Sequence, residues 1–112
     1  MTIKTIVPRE QALHDVEAAV DFYAREAGER VALGFVDALE NAYRAIASRP
    51  AVGSPLYGLD LDLPGLRTRP IRRFPYLIFY VERDAYVDVW RVLHAKRDIP
   101  ASMQSWHVAG RD

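Results

Sequence analysis

Eight consecutive residues, PYLIFYVE at positions 75–82, are apolar on almost every side chain. A strand with this pattern has no face to offer water, so it belongs in the middle of a sheet with a neighbour on each edge. Residues 86–94 (YVDVWRVLH) alternate more and supply one neighbour, with the turn between them around Arg83 and Asp84. Residues 66–73 supply the other. Pro70 removes a ladder donor there and points to an edge or a bulge.

Before residue 49 the apolar period is different. Leu13, Val16, Val20, Tyr23 and Ala27 recur at steps of three and four, so residues 9–27 read as an amphipathic helix. Pro8 suits the first turn of that helix, and Gly28 suits its stop. Val31, Phe35, Leu39, Ala42 and Ile46 repeat the pattern to Ser48, ahead of Pro50. With about three residues between them, the two helices are expected to form an antiparallel hairpin. Residues 3–7 are a short strand candidate, rich in β-branched side chains. Residues 49–65, RPAVGSPLYGLDLDLPG, hold three of the seven prolines and form a loop. Its Val52, Leu56, Tyr57 and Leu59 are expected to pack down on the body.

The resulting order is β-α-α-β-β-β. It predicts an α+β fold in which a helical hairpin covers one face of a small, mainly antiparallel sheet. A chain of 112 residues that is 50% apolar fits one domain, residues 1–112, with a workable core. The tail from about residue 100, which holds Trp106 and His107, is expected either to be flexible or to dock on a partner.

Several function classes drop out. The absence of cysteine removes disulfides, thiolate metal sites and cysteine nucleophiles, and fits a reducing cytoplasm. No stretch approaches the roughly 18 uninterrupted apolar residues of a membrane span, and MTIKTIVPRE does not read as a signal peptide. His14, His94 and His107 are scattered without a carboxylate at ligand spacing, so no metal site is expected. Asp60 and Asp62 alternate with leucines and are expected to face solvent. No phosphate-cradling glycine loop is present, and no cofactor is expected.

Net charge is zero, yet the signs are segregated. Residues 1–48 hold five basic and eight acidic side chains, a balance of −3; residues 64–97 hold eight basic and three acidic, a balance of +5. That asymmetry points to one electropositive surface for an anionic partner.

The order and spacing of several short motifs resemble the RelE/ParE superfamily of bacterial type II toxins, most of all its ParE branch. The first helix carries A-x-x-D-V (Ala12, Asp15, Val16) and then Phe22 and Tyr23. The second runs into ASRPAVGSP, and Gly65-Leu66-Arg67, FPYLIFYV and VLHAKRDI come after it. The resemblance implies a toxin paired with a small ParD-like antitoxin in a hetero-oligomeric complex, with operator DNA met only through the antitoxin. It further implies plasmid stabilisation, and DNA gyrase as the target.

RelE-type members instead cut messenger RNA on the ribosome. In this chain His94, the residue type that titrates near neutrality, would serve that chemistry with Arg67 and Arg91. RelE-type sequences carry a tyrosine five residues beyond the histidine; here that position is Ile99, and Ala95 replaces the following arginine. The departure favours ParE, with no catalytic residue. The candidate antitoxin- or target-binding residues are therefore Arg67, Arg69, Arg73, Tyr80, Arg91, His94, Arg97 and Trp106. Arg67, Arg69 and Arg73 share a parity and are expected on one strand face. A mRNA endonuclease of RelE type and a non-toxic co-repressor remain the alternatives.

Overall fold

The computed structural model describes residues 3–97 and 99–103. Strand β1 (Thr5–Pro8) leads into helices α1 (Glu10–Ala27) and α2 (Glu29–Ser48). A 3₁₀ turn (Pro50–Val52) and the short helix α3 (Leu56–Asp60) precede strands β2 (Leu66–Pro70), β3 (Tyr76–Glu82) and β4 (Tyr86–His94). The α+β order β-α-α-β-β-β is as expected, with two adjustments at the start. Pro8 closes β1 rather than opening α1, and a single residue joins the helices. That residue is Gly28, whose φ of 95° lies where a side chain would be strained.

The sheet runs β1-β4-β3-β2. The β2–β3 and β3–β4 pairs are antiparallel, while β1 lies parallel to β4. As its apolar run demands, β3 is interior. Its Ile78 and Tyr80 pack with Phe35, Leu39 and Ile46 of α2. Its Phe79 and Val81 face the opposite layer, built from Leu63, Leu66, Leu93, Ile99 and Met103. The second layer is thus the chain leading into β2 plus helical residues 99–103, so the first part of the tail is docked. Trp106 and His107 lie outside the described residues. Among the described residues no helix is long and apolar enough to cross a membrane.

Trp90 breaks the register of β4. Tyr80 pairs with Val89 and Phe79 with Arg91, leaving Trp90 as the extra residue of a bulge. The bulge keeps Val87, Val89 and Val92 all on the helical side despite their uneven spacing.

Two carboxylates fasten β4 to its surroundings. Asp15 of α1 receives both Nε and Nη2 of Arg91 at 2.7 and 2.8 Å, and the Val92 N–H at 3.0 Å. β1 pairs with β4 only as far as Val89. Beyond that point the Asp15 carboxylate takes the place of a neighbouring strand. On β4 itself, Asp88 receives bidentate bonds from Arg9 and further bonds from Arg83 and the Trp90 indole. Burial pushes the Asp88 carboxyl up, but the Arg9 and Arg83 hydrogen bonds outweigh that and hold it below its ordinary 3.8.

This lowered value makes Asp88 a source of acid sensitivity. Its stabilisation is fully present above the unfolded carboxyl value and is lost as pH falls through the lower, folded one. Urea midpoints measured from pH 6 down to pH 2 are expected to fall below pH 4. Asp88→Asn should be less stable at pH 6 and show a flatter acid limb; an unchanged limb would rule out this role.

Candidate partner-binding surface

The positive balance of residues 64–97 is only partly available. Arg83 is bound to Asp88, and Arg91 to Asp15. Five other cations collect at one end of the sheet: Arg69 at the close of β2, Arg72 and Arg73 in the turn into β3, and Lys96 and Arg97 after β4. Among the described residues none of these five forms an ion pair.

The turn between β2 and β3 explains how two arginines reach water side by side. Ile71 is buried and its N–H donates to the Tyr76 carbonyl at 2.9 Å. Phe74 packs edge-on against Tyr23 and Phe35. With both apolar residues turned inward, Arg72 and Arg73 are left exposed, Arg73 at a φ of 74°. Between this turn and α2 runs a groove of about 610 Å³, lined by Arg69, Arg72, Arg73 and Phe74 on one side and by Asp37, Ala38 and Asn41 on the other. The Arg69 Nε is buried and has no hydrogen-bond partner among the described residues. A buried donor without an acceptor is costly, so an oxygen delivered by a ligand would be favourable. Guanidinium groups match carboxylate and phosphate oxygens two at a time, which suits this groove to an anionic partner.

The other candidates are differently placed. Arg67 turns to the preceding loop and donates to the Gly53 and Ala51 carbonyls at 2.8 and 3.4 Å. Arg73 stands in the turn, so it does not share a strand face with Arg67 and Arg69; β2 ends at Pro70. Tyr80 is wholly buried, not a surface contact: its hydroxyl accepts from the Gly53 N–H at 2.9 Å and donates to the Pro50 carbonyl at 2.6 Å. Arg91 is 5% exposed and engaged by Asp15, so it is a core cation rather than a partner-facing one. His94 is half-buried, edge-on to Tyr76 with ring centroids 5.2 Å apart. Its Nδ1 accepts the Lys96 N–H at 3.1 Å. Arg97 is exposed, and Trp106 lies outside the described residues.

The nuclease set of His94, Arg67 and Arg91 is not assembled. His94 pairs with Tyr76 at one end of β3, and Arg67 with Tyr80 nearer the other. Four residues of rise and two strand spacings put their backbones roughly 16 Å apart. Ile99, at the position of the RelE-type tyrosine, is a core residue at 3% exposure. Arg72 is absent from the candidates that the sequence suggests. Its signal is an arginine pair enclosed by Ile71 and Phe74, a pattern that turns apolar residues in and charges out.

The sequence profile described as "ParE toxin of type II toxin-antitoxin system, parDE" matches residues 6–99. The chain belongs to the ParE toxin family. The match spans every named element but the first residue of β1, and it bears out the resemblance of the sequence motifs. Among solved structures, the chromosomal ParDE TA system from P. aeruginosa is similar, with a TM-score of 0.71 at 19% identity. The similarity covers 84% of this chain and 98% of that one, and at this identity it speaks for the ParE fold alone. No curated protein sequence matches.

Proposed function

We propose that this ParE-family chain arrests growth by binding DNA gyrase in the cytoplasm, and that a cognate ParD-like antitoxin neutralises it. The antitoxin's acidic residues would enter the groove between α2 and the β2–β3 turn and meet Arg69, Arg72 and Arg73. The observation that carries this reading is the pairing pattern: Arg83 and Arg91 are held by aspartates, while the five cations at the sheet end have no ion-pair partner among the described residues. An acidic peptide is the partner such a surface fits best. Against RNA cleavage stand the separation of His94 from Arg67 and the burial of Arg91 and Ile99. Without a base, an acid and a phosphate-binding cation in mutual reach, general acid–base cleavage lacks its parts.

Induction of the chain alone in a bacterial host tests this. Gyrase-linked DNA breaks with intact messenger RNA are expected, and His94→Ala should arrest growth as strongly as the parent. Messenger RNA cut within translated codons, with the cutting lost in His94→Ala, would instead establish a RelE-type endonuclease.

A further inference from the structure

The composition of the loop from residue 49 to 65 predicts apolar side chains packed down, and three of them do the reverse. Leu56 and Leu59, one turn apart on α3, are 65% and 73% exposed, and Val52 is 42% exposed. Only Tyr57 of that group turns in, onto Phe79 at 5.3 Å between ring centroids.

The exposure is not slackness. Gly58 of α3 is buried against β2, where an added Cβ would stand 2.6 Å from the Leu66 carbonyl oxygen and 2.9 Å from that of Leu63. No side chain fits there, so the backbone of α3 lies directly on the body and its leucines face away. Upstream, Tyr80 ties Gly53 to Pro50, and Arg67 holds the Gly53 carbonyl. Ser54 and Thr68 exchange both backbone hydrogen bonds, at 2.8 and 2.9 Å. A pair of leucines fixed in this way loses little freedom on meeting a partner, which is what makes a rigid apolar anchor effective. Apolar side chains held out together on a built loop mark a contact surface more than scattered ones do.

The rim sets the partner's chemistry. Asp60 and Asp62 follow the leucines in the chain, both exposed and in no ion pair among the described residues. An acidic antitoxin segment suited to the arginine groove would be repelled here. Two copies of the loop related by a twofold axis would oppose acid with acid. α3 also leads into Leu63 and Leu66, which pack on the face of the sheet opposite α1 and α2.

We propose that this loop is the surface with which the toxin holds its cellular target, and that Leu56 and Leu59 enter an apolar pocket edged by lysine or arginine on that protein. It is separate from the arginine groove assigned to the antitoxin. The inference rests on the reading of the chain as a toxin.

The test is growth arrest on induction of the full-length chain, with and without the product of the adjoining short reading frame. Leu56→Ser/Leu59→Ser should lose the arrest, because removing one central anchor weakens an interface contact by roughly 30-fold. The serine pair should keep the parent's urea midpoint and its complex with the co-expressed antitoxin. Asp60→Lys, an exposed change at a helix end, should weaken the arrest without touching the leucines. Arrest by the parent that either variant leaves intact overturns the proposal. So does loss of antitoxin binding in the serine pair, or a parent dimer in sedimentation that the serine pair abolishes. A parent chain that never arrests growth overturns the toxin reading and this proposal together.

Discussion

Asp15→Ala is expected to remove most of the stability of the fold. Asp15 and Arg91 are 7% and 6% exposed at their side chains, and the carboxylate is the only acid paired with that guanidinium among the described residues. Deleting one member of a buried pair leaves the other charge without compensation, typically at about 3–5 kcal/mol. The Val92 N–H loses its acceptor at the same time, which adds about 1–3 kcal/mol if no water replaces it. A domain of this size has about 5–15 kcal/mol in total. Urea unfolding followed by tryptophan fluorescence should show the loss as a lower midpoint at unchanged slope. A drop under about 1 kcal/mol would mean the pair is already solvated. Asp15→Leu combined with Arg91→Met should recover a large part of the loss, since apolar replacement of both partners of such a pair is often neutral.

That pair also marks how far the sequence can be read. The helices are legible because their apolar period is a local property, and β3 because nothing but an interior strand tolerates two apolar faces. Asp15 is legible only as part of a family motif. Its partner lies 76 positions away, and no local pattern tells which arginine of a basic segment meets which acid. Counting charge between residues 64 and 97 finds the excess correctly but treats Arg91 and Arg72 alike, although one is buried and one exposed.

Two other differences have equally specific causes. The bulge at Trp90 moves the helix-facing set of β4 by one residue after Val89, so strict alternation misplaces the residues from Arg91 to His94. In the loop before β2, composition predicts inward leucines, but Gly58 fills the contact with the body and rotates Leu56 and Leu59 outward. On a five-residue helix there is no period from which to infer the buried face.

Arg72→Glu/Arg73→Glu is expected to abolish neutralisation by the antitoxin while leaving the fold intact. Both side chains are exposed, in a turn whose structure depends on Ile71 and Phe74. Reversal therefore alters charge with little effect on packing. It converts two attractions into two repulsions at the groove beside Asp37, where unfavourable like-charge contacts cost several kcal/mol across an interface. The dissociation constant should rise by at least about 100-fold, and high salt should narrow the gap to the parent. Titration of the co-purified antitoxin by calorimetry gives that ratio directly. Arg67→Glu provides the contrast. Arg67 is tied to the Gly53 and Ala51 carbonyls, so its reversal should loosen the loop and lower the urea midpoint rather than act chiefly on antitoxin affinity. Full antitoxin affinity in the Arg72/Arg73 variant would move the antitoxin off the arginine groove. The five cations at the sheet end would then be a solvated face, and the leucine loop would be left as the stronger candidate surface.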